Sequence, residues 1–254
     1  MNIETAIKKA SQHLKRNNIK SSALDSEILM SQVLKKDRKF IFLNLGQELN
    51  DIDYQEFKKL VSLRLKKEPI AYITGRKFFW KYEFKVSNKV LIPRPDTELI
   101  VEQILKIYKH KNRINFLEIG VGSGCIILSI LKEKKSFLGK GIDVSKDCLK
   151  LCKINADKLK IYKRLKLQKS DVDNLTFAKY DLIISNPPYI KKLDLNKLDK
   201  EITNYEPKLA LNGGIDGLSE IRKVIKKSSD PIKKNGKFIL EIGFDQKNKV
   251  IKLL

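Results

Sequence analysis

Apolar positions divide the 254 residues into three stretches of different periodicity. Up to about residue 75 they recur every three or four places, the spacing that gives a helix one apolar face. Ile7, Ala10 and Leu14 predict a first helix. Ser21-Ser22 offers caps for a second, which carries Leu24, Ile28, Leu29, Val33 and Leu34 along one face. A third runs from Asp51 to Lys67 with Tyr54, Phe57, Leu60, Val61 and Leu65 as its stripe, leaving Lys58, Lys59, Lys66 and Lys67 to water. This small bundle holds no visible catalytic cluster.

Near residue 76 the period shortens to two. Phe78 to Val86 partly alternates, Ser87-Asn88 reads as a turn and Val90-Leu91-Ile92 extends again, which predicts a β-hairpin linker over 76–93. Pro93-Arg94-Pro95 stiffens the chain, and Asp96 or Thr97 is placed to cap a helix reaching about His110. From residue 114 strands alternate with helices, the signature of a mostly parallel sheet covered on both faces. The expected strands are Ile114 to Ile119, Phe137 to Val144, Leu165 to Lys169, Tyr180 to Ser185 and Lys237 to Ile242, with helices starting near Gly124, Lys146, Leu218 and Gln246. The polar stretch from Tyr189 to Gly217 is too long for an ordinary connection and has the length of a binding loop or lid. The predicted organisation is therefore α/β: a helical domain over 1–75, the linker, and a sheet-containing domain over 94–254.

Composition narrows the class. Apolar residues make up 42% of the chain, which argues against disorder, and three cysteines do not make a disulfide framework. The longest apolar run, Cys125 to Leu131, is far below the roughly 20 residues a membrane-spanning helix needs, and Met1-Asn2-Ile3-Glu4-Thr5 lacks the apolar core of a signal peptide. A cytoplasmic protein is expected, with no membrane partner. The net charge of +23 points on its face to an anionic partner such as nucleic acid. Eight arginines against 45 lysines temper that reading. Arginine is the residue suited to bidentate phosphate and base contacts, whereas lysine scattered through every segment with abundant Ile and Asn also arises from an AT-rich genome.

Three segments carry chemistry. The first predicted strand of the sheet runs through Glu118 into Gly120-Val121-Gly122-Ser123-Gly124 and then a helix. Glycines there permit positive φ and close approach of a ligand to the backbone, at the edge of the sheet where open α/β folds bind ligands. The spacing is G-x-G-x-G rather than the dinucleotide G-x-G-x-x-G. The next strand ends at Asp143, 19 residues beyond Gly124, where a carboxylate can accept hydrogen bonds from two ribose hydroxyls or, alternatively, cap the following helix. Asp171 sits where an adenine edge would be met and equally fits an ordinary turn. The third segment is Asn186-Pro187-Pro188-Tyr189, at the tip of the fourth strand. Two prolines fix the backbone and hold Asn186 extended. The Asn186 side-chain oxygen and the Pro187 carbonyl are then acceptors for a planar NH2 group, with Tyr189 to pack on its face.

The glycine turn, Asp143 and Asn186 to Tyr189 together resemble the class I (Rossmann-like) S-adenosylmethionine-dependent methyltransferases acting on planar nitrogen. Pro69 to Gly75, Leu91 to Glu98 and Glu206 to Leu211 further resemble the HemK/PrmC protein-(glutamine-N5) methyltransferases, which modify the glutamine of the Gly-Gly-Gln motif in peptide release factors. The likeness runs from the helical bundle to about Gln246. It implies S-adenosyl-L-methionine as cofactor, bound by Glu118, Gly120 to Gly124, Asp143, Asp171, Val172 and Asn186. It implies Asn186, Pro187, Pro188 and Tyr189 as the substrate clamp, with Asn186, Pro187 and Tyr189 as catalytic residues, and the helical domain as the part that recognises substrate. A release factor is the expected partner, the protein a monomer and nucleic acid not the substrate.

The chain departs from the family pattern in three places. Glu118 stands where Asp is common, Val172 stands where an aromatic often covers the adenine, and the chain reaches Leu254 without the β-hairpin that usually completes a seven-stranded sheet. Two other functions compete. One is an N6-adenine or N4-cytosine nucleic-acid methyltransferase, which also uses an Asn-Pro-Pro-Tyr type site. The other is a binding-only homologue impaired by the missing hairpin. No metal is expected: His13 and His110 lie in no motif, and Cys148 and Cys152, one helical turn apart, read as core thiols.

Overall fold

The computed structural model describes residues 1–174 and 178–254, which divide into two compact units, 1–75 with 200–205 and 76–199 with 206–254. The first unit contains α1 (Ile3–Arg16), α2 (Ser22–Leu34), α3 (Arg38–Leu43), α4 (Asp51–Leu65) and α5 (Ile70–Thr74). Side chains open three of these helices: Asn2, Asp37 and Asn50 accept the N–H groups of Thr5, Phe40 and Asp53 at 2.9, 2.8 and 2.8 Å. Ile3, Ala6, Ala10 and Leu14 form the buried stripe of α1 and pack with Leu29, Met30, Ile41, Phe57, Leu60 and Val61.

The second helix departs from its apolar pattern. The Ser21 hydroxyl donates to Asp25 at 2.8 Å instead of capping the backbone, and Leu24 is 44% exposed while Asp25 and Ser26 are buried. The cause lies on α4. Arg64 is buried, and its guanidinium donates to Asp25 at 2.7 Å, to Glu201 at 2.7 Å and to the Glu68 carbonyl at 3.1 Å. Turning Asp25 inward to meet Arg64 leaves Leu24 on the wet side of the helix. Glu201 belongs to the short helix Lys200–Tyr205, which is also held by the Tyr205 hydroxyl donating to the Lys66 carbonyl at 2.8 Å.

The second unit begins with a hairpin of β1 (Arg76–Phe79) and β2 (Tyr82–Lys85), paired antiparallel from Arg76 with Lys85 to Phe79 with Tyr82. Its turn is Trp80-Lys81, not Ser87-Asn88, and residues 87–92 add no strand. Specific partners make the difference. The Trp80 N–H donates to Glu98 at 2.8 Å, while the Trp80 indole and the Tyr82 hydroxyl both donate to Glu133 at 3.0 Å. These contacts hold Trp80 at φ 56°, a conformation that a residue-by-residue turn rule does not anticipate for tryptophan.

A five-stranded parallel sheet follows, made of β3 (Asn115–Ile119), β4 (Leu138–Asp143), β5 (Leu165–Lys169), β6 (Tyr180–Ser185) and β7 (Ile232–Leu240) in the order β5-β4-β3-β6-β7. With Lys200–Tyr205 counted as α9, the helices of this unit are α6 (Glu98–Ile107), α7 (Cys125–Glu133), α8 (Lys146–Lys158), α10 (Ser219–Ser228) and α11 (Lys247–Ile251). The last strand starts before the expected Lys237 because Ile232 already pairs with Tyr180, ahead of a register shift. Phe116, Leu182 and Ile184 bury one face against Val101, Ile104, Ile127 and Leu131. Leu117, Ile119, Ile142 and Ile183 bury the other against Val172 and Val224. Such two-sided burial is what parallel strands require.

The strand order reverses between β3 and β6, so the crevice at their carboxyl ends is the place where a sheet of this kind holds a ligand. The glycine turn follows β3, Asp143 ends β4, Asn186 follows β6 and Glu241 follows β7.

The buried Asp25–Arg64 pair sets the stability of the helical unit. Asp25→Ala takes from a buried guanidinium one of its two carboxylate partners, leaving Glu201, and is expected to destabilise that unit by about 1–3 kcal/mol. Thermal unfolding followed by far-ultraviolet circular dichroism should register this as a lower Tm.

Candidate active site

The three glycines of the turn all have positive φ: 79° at Gly120, 54° at Gly122 and 82° at Gly124. They serve different ends. A Cβ on Gly124 would come within 2.5 Å of Cys152 Sγ and 2.9 Å of Leu128, so this glycine lets α7 pack. A Cβ on Gly120 or Gly122 would meet nothing within 4 Å, so these two leave bare backbone facing open space. That open cradle fits a ligand lying on the turn. Within the turn Val121 and Ser123 are buried, and the Ser123 hydroxyl has no hydrogen-bond partner.

Two carboxylates set the shape of this turn. Glu118, fully buried beneath it, accepts the Ile127 N–H in the first turn of α7 at 2.9 Å. Burial pushes its carboxyl well up, against the pull of that N–H, and neighbouring Asp143 pushes it further. Asp143 accepts the Gly122 N–H at 3.0 Å with one oxygen and the Ser145 N–H at 2.9 Å with the other. Burial raises this carboxyl too, with the backbone hydrogen bonds opposing. The capping alternative goes to Ser145, whose hydroxyl accepts from Cys148 N–H at 3.3 Å. Each Asp143 oxygen keeps acceptor capacity for a hydroxyl.

Asp171 and Val172 lie apart from this arrangement in character. Asp171 is exposed and closes a local turn by accepting the Asp173 N–H at 3.1 Å. Val172 is buried among Leu117, Ile119 and Ile142 on the sheet face.

The Asn-Pro-Pro-Tyr segment is fixed by residues from distant parts of the chain. Asn186 Nδ2 donates to the Thr97 hydroxyl oxygen at 3.3 Å, and the Tyr189 hydroxyl donates to Glu241 at 3.2 Å. Burial and the Glu241 charge push the Tyr189 phenol up to about 12, so it stays a neutral donor. Burial also raises the Glu241 carboxyl; Thr97, Tyr189 and Asn186 bear on it in the opposite sense, and Asp96 adds repulsion. Its Oε2 is buried without a hydrogen bond of good geometry. Gln246, also buried, donates to the Tyr189 carbonyl at 3.0 Å and the Gly217 carbonyl at 3.1 Å, and accepts the Gly243 N–H at 2.9 Å.

The long excursion after Tyr189 is pinned as well as polar. The Ile190 N–H donates to the Leu211 carbonyl at 3.1 Å and the Gly213 N–H to the Ile190 carbonyl at 2.8 Å, and Glu206 accepts Arg94 at 2.6 Å and the Ile92 N–H at 3.3 Å. That ion pair joins the two segments around Arg94 and Glu206 that carried the resemblance. An open cleft of about 820 Å³ borders Tyr189 and Glu241 and extends past Asp96, Leu99 and Phe244. Cys148 and Cys152 are buried and Cys125 is half-buried; desolvation raises each thiol, Cys148 to about 11, so none is a ready nucleophile.

Sequence reading placed the glycine turn, Asp143 and Asn186 to Tyr189 at one edge, and the sheet brings them there. It passed over Thr97 as a site residue and missed Glu241 and Gln246. The only signal for the last two was their position just beyond a strand tip, in Glu241-Ile242-Gly243-Phe244-Asp245-Gln246.

An open, wholly parallel sheet with a glycine turn after its central strand and an acidic residue at the neighbouring tip defines the class I methyltransferase fold. Residues 5–75 match the PrmC N-terminal domain family and residues 95–214 the methyltransferase small domain family. The chain is 37% identical to the release factor glutamine methyltransferase of Clostridium acetobutylicum, over all of this chain and 90% of that protein. It is 35% identical to that of Caulobacter vibrioides over 95% of this chain and 84% of the relative. A bifunctional methyltransferase of Rickettsia conorii matches at 34% over 99% of this chain, which spans about half (53%) of that longer protein. The chain belongs to the release factor glutamine methyltransferase family.

Two variants test how the carboxylates act. Asp143→Ala should weaken S-adenosylmethionine binding by at least about tenfold, the loss of roughly 1.5–3 kcal/mol for a charge-assisted bond, read by calorimetry. A raised carboxyl favours the folded state while protonated, and that stability is lost as pH rises through the folded value. Glu118→Gln is therefore expected to raise Tm above wild type at pH 8, the gain narrowing as pH falls toward the ordinary carboxylate range.

Proposed function

We propose that this protein transfers a methyl group from S-adenosyl-L-methionine to the side-chain amide nitrogen (N5) of the glutamine in the Gly-Gly-Gln motif of peptide chain release factors, supporting translation termination. The observation that carries this reading is Asn186-Pro187-Pro188-Tyr189, held rigidly beside an open glycine cradle. Family membership supports the same substrate. The matched N-terminal domain over residues 5–75 supports a protein substrate over nucleic acid, and we read the protein as a cytoplasmic monomer.

When bound, S-adenosyl-L-methionine supplies a methyl group on a sulfonium, ready for in-line displacement. The cradle at Gly120 and Gly122 would take its backbone-facing side, and Asp143 its ribose hydroxyls. An amide nitrogen is a poor nucleophile because its lone pair is delocalised into the carbonyl. The protein's task is to orient it. Asn186 Oδ1 and the Pro187 carbonyl would each accept one N–H in the amide plane, leaving the lone pair to project from one face of the amide toward the methyl group, while Tyr189 and the fixed Pro188 would wall the other face. As the nitrogen–carbon bond forms and the carbon–sulfur bond breaks, the nitrogen sheds one proton to solvent. Positioning of this kind contributes up to roughly 7–11 kcal/mol in well-oriented reactions, so the site has no need of a strong base.

Incubation with a release factor and cofactor, followed by mass spectrometry of the Gly-Gly-Gln peptide, should show a gain of one methyl on the glutamine. A methyl appearing instead on adenine of supplied DNA would overturn the reading. Asn186→Ala should lower kcat by orders of magnitude while leaving cofactor affinity nearly unchanged by calorimetry.

A further inference from the structure

Asn186 has a side-chain amide with one acceptor end and one donor end, and only one of its two flips can receive an NH2 group. The surroundings decide the flip. Thr97 Oγ1 accepts from Asn186 Nδ2 at 3.3 Å, and among the described residues nothing donates to Asn186 Oδ1. A hydroxyl has one proton, and a threonine already accepting from Asn186 must send that proton elsewhere. Next to it stands Glu241, an acceptor-only group when ionised, whose Oε1 takes the Tyr189 hydroxyl at 3.2 Å and whose buried Oε2 has no hydrogen bond of good geometry among the described residues. Thr97 and Asn186 both lie at this carboxylate and lower its proton affinity, as donors do.

We propose that Glu241 is a positioning residue: with the Thr97 hydroxyl it draws the Nδ2 end of the Asn186 amide to its own side, locks the amide oxygen toward the substrate, and so makes the site select an amide over a carboxylate. The direction of the chain follows from the carboxylate. Glu241 can only accept, so Thr97 donates to it. Thr97 can then only accept from Asn186, so Nδ2 faces Thr97 and Oδ1 faces the substrate. Through Oε1 the same carboxylate orients the Tyr189 ring. Its negative charge further opposes entry of a substrate carboxylate. The site thereby distinguishes glutamine from glutamate, which have the same shape and differ in whether the terminal group donates or accepts. This inference rests on the reading that Asn186 holds the substrate's glutamine amide.

The test uses Thr97→Val, which keeps shape and removes the hydroxyl, with Thr97→Ser as the conservative rescue and Glu241→Gln as a second entry to the same chain. Binding to a release factor and to its Gly-Gly-Glu variant is measured by calorimetry with S-adenosylhomocysteine present, and kcat and KM are measured on the glutamine form. Wild type should prefer the glutamine form by at least about tenfold, as expected where a buried polar site is left mispaired by the wrong ligand. Thr97→Val and Glu241→Gln should each bring that preference below about threefold and lower kcat at least about tenfold, with KM moving less. Thr97→Ser should restore both. Cofactor affinity and Tm should stay near wild type, and the double variant should be no worse than the poorer single one, the mark of one shared pathway.

An unchanged glutamine preference in Thr97→Val overturns the proposal. So does a loss of Tm or cofactor affinity that Thr97→Ser fails to repair, since that assigns Thr97 and Glu241 a structural role. If wild type neither binds nor methylates the glutamine form, it is the substrate reading that falls, and the inference falls with it.

Discussion

The turn from β3 into α7 has to present bare backbone to a ligand while standing on a tightly packed core, and two carboxylates reconcile those demands. Glu118 fixes the start of α7 from below through the Ile127 N–H. Asp143 reaches across from the neighbouring strand tip to the Gly122 N–H. Burial opposes the ionised form of both carboxyls, a cost offset by hydrogen bonds from the Ile127 N–H to Glu118 and from the Gly122 and Ser145 N–H groups to Asp143. These contacts add to the Gly120 and Val121 N–H groups, which donate to the Ile142 carbonyl at 2.9 and 3.1 Å, in holding the three positive-φ glycines in register with the crevice. The open cradle at Gly120 and Gly122 takes its shape from these contacts.

The Asn-Pro-Pro-Tyr side of the crevice is built by another device. Asn186 to Tyr189 are stiffened locally by two prolines, but local stiffness fixes only the backbone. The side chains take their orientation from Thr97, nearly ninety residues upstream, and from Glu241, more than fifty residues downstream. The sheet makes this possible. Parallel strands bring residues remote in sequence to one row of tips, so β6 and β7 place Asn186 and Glu241 side by side while the segment leading into α6 supplies Thr97.

That division explains what could be read from the chain. The glycine turn, the β4 aspartate and the proline pair are legible because their chemistry is written in adjacent residues, and the strands from β3 to β6 are legible as short segments between helical patterns, with Leu182-Ile183-Ile184 a continuous apolar run and Leu165 and Leu167 alternating with polar residues. Thr97 was visible as a helix start but not as a partner of Asn186, since no local rule connects them. Glu241 looked like an ordinary residue after a strand. In the helical unit, Leu24 was placed in the core by periodicity and is exposed, because a long-range ion pair between Asp25 and Arg64 outweighs the apolar stripe in setting how α2 faces its neighbours. The hairpin turn moved to Trp80 for the same kind of reason: Glu98 and Glu133, distant in sequence, supply the acceptors that hold it.

Gln246 gathers the Tyr189 carbonyl, the Gly217 carbonyl and the Gly243 N–H around one buried amide. It lies about sixty residues after Asn186, so a ribosome translating this chain releases the motif long before the group that shapes it. Until then the Tyr189 backbone lacks its clasp, and Glu241 has yet to be made. The order of synthesis thus delays competence: a nascent chain carries the whole cofactor turn and the whole Asn-Pro-Pro-Tyr signature as an unassembled site, and assembly waits on the last strand and the turn beyond it.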